Sequence, residues 1–114
     1  MEKQLELDRN RVEHLRKLSS LIPDVLGAYR GVISEVYKDG ALSGKMKRLM
    51  SLSIALGAGC RNCVLGQARY ALDAGATREE IMETLSVVIS MRGTTGVAES
   101  LRIVQFLEEI EKQP

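Results

Sequence analysis

The sequence predicts an all-α fold: a six-helix bundle that assembles into an oligomer. Three observations carry this. Proline stands only at positions 23 and 114, so no helix interior is broken. No stretch keeps a period-two alternation of β-branched residues, so no strand is expected. Apolar residues recur instead at helical spacings, between short segments rich in glycine and capping residues.

A first helix is expected over residues 3–19, with Val12, Leu15 and Leu18 as a narrow apolar stripe behind a heavily charged opening. His14 falls in it and reads as a solvated surface histidine. Pro23 suits the first position of a second helix, where its missing N–H costs nothing. Val25, Leu26, Tyr29, Ile33 and Val36 share one face, and Asp39-Gly40 stops the helix. Ser43 caps a third helix whose buried side is Met46, Leu49, Met50, Ile54 and Leu56, widened by Leu52 and Ala55. It is apolar nearly all round in its second half, which makes it central, and it ends at Gly57-Ala58-Gly59.

The fourth helix runs from Cys60 to about Asp73 with Val64, Leu65, Ala68, Ala71 and Leu72 inside, and Gly75 ends it. Thr77 and Glu80 form a capping box for the fifth, which buries Ile81, Leu85, Val88 and Ile89, with Met82 and Met91 extending the surface. Gly93-Thr94-Thr95-Gly96 reads as a turn. A sixth helix over 96–111 follows, with Val97, Leu101, Val104 and Ile110 as its stripe and Ile103, Phe106 and Leu107 widening it. Several of these faces are wider than one neighbour can cover, and a homo-oligomer is expected to bury the surplus.

Aromatic residues make up only 4% of the chain, so aliphatic side chains and methionine must fill the core. Sixteen basic against fifteen acidic residues leave a net charge of +1, and no basic surplus marks a nucleic-acid partner. No apolar run approaches the ~18 residues that span a bilayer. The opening Met1-Glu2-Lys3-Gln4 is charged and unlike a signal peptide, so a cytoplasmic protein without a membrane partner is expected.

In that compartment two cysteines suggest reactive thiols rather than a structural bridge. Cys60 and Cys63 are the only pair, and their C-x-x-C spacing places both on one helical turn. At a helix start, free N–H groups and the macrodipole favour thiolate, and such thiols titrate anywhere from about 3.5 to 7.5 instead of about 8.5. Arg61 and Arg69 add positive charge nearby. The pair reads as a dithiol–disulfide catalytic site. Two alternatives stand beside it. Zinc needs four ligands, and one chain offers Cys60, Cys63 and His14, so two chains would have to pool thiolates; no metal and no cofactor are expected. The cysteines could also be inert core packing.

The chain resembles the carboxymuconolactone decarboxylase / alkylhydroperoxidase D family. The resemblance covers about residues 22–107 and rests on Pro23-Asp24-Val25-Leu26, Asp39-Gly40-Ala41-Leu42-Ser43, Gly57-Ala58-Gly59-Cys60-x-x-Cys63 and Ala74-Gly75-Ala76-Thr77-Arg78-Glu79-Glu80-Ile81. It implies one domain over residues 1–114, with 1–20 as an N-terminal helix and 21–112 as the family core. Peroxidase members carry glutamate, eleven residues, C-x-x-C, three residues, then histidine. There the second cysteine attacks the hydroperoxide, the first resolves it, and the glutamate and histidine relay a proton.

Carried onto this chain, Cys63 is the attacking thiol and Cys60 the resolving one. The helix-terminus argument instead favours Cys60 as the more acidic thiol for thiol exchange. The relay positions hold Arg48 and Gln67, which are no bases near neutral pH but can orient a substrate by hydrogen bonds. Asn62 stands where some members have histidine. Arg48 reads equally as a surface residue or as a holder of a thiolate or carboxylate. The resemblance implies a peroxidase-like or thiol–disulfide oxidoreductase acting on a small peroxide or disulfide with a dithiol reductant, as a trimer or hexamer. A non-catalytic redox sensor and a decarboxylase-like enzyme are the alternatives.

Overall fold

The computed structural model describes residues 2–113; Met1 and Pro114 lie outside them. Six helices follow one another: α1 Gln4–Leu21, α2 Pro23–Val36, α3 Gly44–Ala58, α4 Arg61–Asp73, α5 Arg78–Arg92 and α6 Thr94–Glu111. No strand occurs among the described residues.

The caps explain the boundaries. Ser43 Oγ accepts the Met46 N–H at 3.1 Å and starts α3. Glu80 N–H donates to Thr77 Oγ1 at 3.1 Å while Thr77 N–H donates to Glu80 Oε1 at 2.9 Å, which completes the capping box of α5. Pro23 occupies the first turn of α2. Gly59, at φ 71°, takes the left-handed turn that ends α3. The expected turn over 93–96 is shorter in the structure. Gly93 alone, at φ 66°, breaks the chain, and α6 begins at Thr94.

The core is built from Leu49, Leu52 and Leu56 of α3, Val64, Leu65 and Ala68 of α4, Ile81, Leu85 and Val88 of α5, and Ile103, Phe106 and Leu107 of α6. α3 packs on α4 and α5, α5 on α6, and α1 lies along α4 and α6. α2 packs chiefly on α1 and has no buried residue in the single chain.

Three expected faces are corrected. In α6 the widening residues form the core, while Val97 and Leu101 are exposed. The small residues decide this. A Cβ at Gly96 would lie 3.1 Å from Ile89 Cα, so α6 meets α5 on its Gly96–Ser100–Ile103 side. In α3, Met46, Met50 and Ile54 point outward while Leu49, Leu52 and Leu56 point in. In α1 the stripe of Val12 and Leu18 is exposed, and the buried residues are polar, Gln4 and Asp8. Each is matched by a partner far along the chain. Arg102 Nη1 donates to Gln4 Oε1 at 3.0 Å, and Arg69 lies 3.7 Å from the Asp8 carboxylate. Among the described residues no helix is long and apolar enough to cross a membrane.

Candidate functional site

Cys60 joins two helices. Its N–H donates to Ala55 O at 3.1 Å, closing the end of α3. Its carbonyl accepts the Cys63 and Val64 N–H groups at 3.1 and 3.0 Å, opening α4. Cys60 is therefore the N-cap of α4, and Cys63 sits one turn in. Their Cα atoms are 5.2 Å apart, within bridging range, and their sulfurs are joined as a disulfide. Cys60 is half-buried and Cys63 is exposed. The reading of both as sealed core packing is thereby excluded.

Cys63 opens onto a cavity of about 660 Å³ bounded by α1, α2, α3 and α4. Of the two cysteines, Cys63 is the one that lines it. Arg48 and Gln67 line the same cavity, so three of the four sequence-predicted site residues share one wall. Arg48 is half-buried. Its guanidinium carbon lies 3.5 Å from the centre of the Tyr37 ring and 4.7 Å from that of Tyr70, within cation–π range of both. Gln67 Oε1 is buried and accepts no hydrogen bond from the described residues.

Two further arginines were missed by sequence reasoning. Arg11 of α1 reaches over α4, where its Nε pairs with Asp8 at 3.1 Å. Gly66 makes room for it, since a Cβ there would come within 2.8 Å of the Arg11 guanidinium carbon. Arg30 of α2 donates to Ser19 Oγ at 2.6 Å. Both line the cavity, with Leu15, Leu26, Tyr29 and Ile33 as its apolar side. A glycine inside a helix one turn after a cysteine was the available signal for Arg11; its partner lay too far along the chain to be named.

Among the described residues, no carboxylate and no histidine lines this cavity. His14 sits exposed on α1, its Nδ1 2.8 Å from Asn10 O, outside the lining. Among the described residues, no three histidine, cysteine or carboxylate side chains converge as metal ligands.

The amino terminus braces the base of α4. Glu2 pairs with Arg61, beside Cys60, and its carboxylate lies 3.8 Å from Arg102. Glu109 Oε1 accepts the Leu5 N–H at 2.7 Å and its Oε2 accepts Gln105 Nε2 at 2.8 Å. Burial pushes the Glu109 carboxyl up, but these hydrogen bonds outweigh it and hold the group below its usual 4.5. The Lys45 ammonium, with the Thr77 N–H, does the same for Glu80.

Sequence comparison matches residues 23–106 to the carboxymuconolactone decarboxylase family. An uncharacterised protein of Cupriavidus necator is 31% identical over 88 residues, covering 77% of this chain and 78% of that protein. Uncharacterised protein 4 of the cox locus of Paracoccus denitrificans is 32% identical over 84 residues, covering 74% and 76%. A carboxymuconolactone decarboxylase family protein of Legionella pneumophila, solved in its apo form, superposes with a TM-score of 0.88 at 25% identity, covering 98% of this chain and 100% of that one. A Thermotoga maritima family protein, for which a part in the antioxidative response has been suggested, superposes with a TM-score of 0.79 at 28% identity over 90% of this chain and 91% of its own.

Proposed function

The chain belongs to the carboxymuconolactone decarboxylase family, and from that premise we propose that it is a dithiol–disulfide oxidoreductase in which Cys63 exchanges with substrate and Cys60 resolves. The observation that carries this is the position of Cys63 on the cavity wall while Cys60 sits at the helix junction. In the reduced protein, the Cys63 thiolate attacks one sulfur of a substrate disulfide and expels the other as thiolate. Cys60 then attacks Cys63 Sγ and expels the second substrate thiolate. Two electrons pass to the substrate, and the protein is left with the Cys60–Cys63 bond. An external dithiol restores it by the reverse steps. The end of α4 favours the thiolate at both positions.

The cavity favours thiol exchange over peroxide cleavage. A thiolate leaves unprotonated near neutral pH, whereas an alkoxide needs a proton as it leaves. General acid–base help is commonly worth a hundredfold or more. The relay positions hold Arg48 and Gln67, and neither carboxylate nor imidazole lines the cavity to replace them. Peroxide reduction is the second reading. The antioxidative role suggested for the Thermotoga maritima neighbour supports it. In it, Cys63 takes the distal oxygen as sulfenic acid, alcohol leaves, and Cys60 displaces water to form the disulfide.

The exposed apolar side chains of α2 and α3, Val25, Val36, Met46, Met50 and Ile54, support self-association of a single domain whose core is residues 21–112; a trimer or hexamer is the assembly that the family resemblance implies. The experiment for the catalytic reading is steady-state reduction of a small disulfide or an alkyl hydroperoxide with a dithiol as electron source. Cys63→Ser is expected to lose at least a hundredfold in rate. Wild-type turnover in Cys63→Ser overturns the proposal.

A further inference from the structure

The charge on the cavity wall points to a substrate class. Arg11, Arg30 and Arg48 line the cavity, and no acidic residue does. Arg11 is matched by Asp8. Arg30 donates to the neutral Ser19 hydroxyl, and Arg48 lies against two neutral rings, Tyr37 and Tyr70. Among the described residues, no carboxylate pairs with Arg30 or Arg48. Two cations therefore face the space next to Cys63 without a counter-ion.

Ring faces stabilise a guanidinium but leave its N–H edge free. That edge is a fork matched to a carboxylate. Leu15, Leu26 and Ile33 supply an apolar wall, and about 660 Å³ is ample for a compound of ten to twenty heavy atoms.

We propose that this cavity binds a carboxylate-bearing apolar compound, its carboxylate on Arg48 with Arg30 as auxiliary and its reacting sulfur or oxygen at Cys63. The substrate class rests on the oxidoreductase reading above; the anion site itself does not. The covalent step is the exchange already described, with the substrate carboxylate unchanged throughout.

The test has two arms. In the first, hexanoate and its neutral isostere hexanamide are titrated calorimetrically into the oxidised full-length chain. Hexanoate is expected to bind at least tenfold more tightly. Arg48→Gln removes most of that preference and Arg30→Gln a smaller part, with helicity checked by circular dichroism. Equal affinities, no measurable hexanoate binding, or an undiminished preference in folded Arg48→Gln overturns the site. The wild-type comparison alone decides if the variants do not fold.

In the second arm the reduced chain meets 5,5′-dithiobis(2-nitrobenzoate), which carries two carboxylates, and neutral 2,2′-dithiodipyridine. Each rate is divided by that of free cysteine. The carboxylate reagent is expected to be favoured about tenfold over the neutral one, and Arg48→Gln to reduce the ratio. An equal fall of both rates shows that Arg48 acts on the thiolate rather than on the substrate, and overturns its assignment. If neither reagent outpaces its reaction with free cysteine, the oxidoreductase reading fails while the hexanoate result still decides the anion site.

Discussion

Gly66 gives a prediction whose sign depends on one neighbour. It lies inside α4, where alanine is normally better by about 0.5–1 kcal/mol. Its Cα carries no side chain because Arg11 lies there, and an added Cβ would sit 2.8 Å from the guanidinium carbon and 3.0 Å from Nη2. Relief needs a shift of roughly half an ångström toward ordinary contact. Arg11 is not free to drift, because Nε pairs at 3.1 Å with a carboxylate that is itself buried. Overpacking of this kind costs about 1–3 kcal/mol, with the lower half expected where a side-chain end must yield.

The Gly66→Ala change in the wild type is therefore expected to fall between neutral and about 1.5 kcal/mol destabilising. In an Arg11→Ala background the clash is gone, and the same change should stabilise by about 0.5–1 kcal/mol. Urea unfolding of the four proteins measures the coupling, expected at about 1–2 kcal/mol. Equal stabilisation by Gly66→Ala in both backgrounds would show that Arg11 is not held against α4. Arg11 would then not form that side of the cavity wall.

Other outcomes follow from the same contacts. Thr77→Ala should cost about 1 kcal/mol through loss of the N-terminal cap of α5, read by thermal unfolding. Glu109 has a lowered folded-state pKa, so its contribution is present above about 4.5 and lost as pH falls through the folded value. Glu109→Gln should cost about 1 kcal/mol near pH 7, after allowance for solvent screening, and less as the pH falls through the folded value. A gap that does not narrow with acid would contradict the linkage. Ile54, 68% exposed in the single chain, should lie at a subunit contact. Sedimentation velocity should find more than one chain per particle and a shift toward monomer in Ile54→Asp; a monomeric wild type would remove the oligomer reading.

The helices were legible because their signals are local. Pro23, Ser43, Gly59 and the Thr77–Glu80 box each act within a few residues. The C-x-x-C pair was legible for the same reason, as was its position at a helix start. What was hidden depends on distant partners. Gln4 and Asp8 are buried because Arg102 and Arg69 reach them, and nothing near either residue announces that. The choice of inner face in α6 was hidden as well. Both sides are apolar, and the decision fell to close approach at Gly96. Arg48 was undecided in the sequence because its surroundings are Tyr37 and Tyr70, one before α3 and one in α4. The cationic cavity became visible only when α1 lay along α4 and α2 packed on α1.

The most direct measurement is the reaction of the two single-cysteine variants with a neutral disulfide, followed by mass spectrometry at pH 7. Cys63, left alone by Cys60→Ser, should form the mixed disulfide at least tenfold faster than Cys60 left alone by Cys63→Ser, and faster than free cysteine. The contrary result is a faster Cys60, or two thiols that both react at the free-cysteine rate.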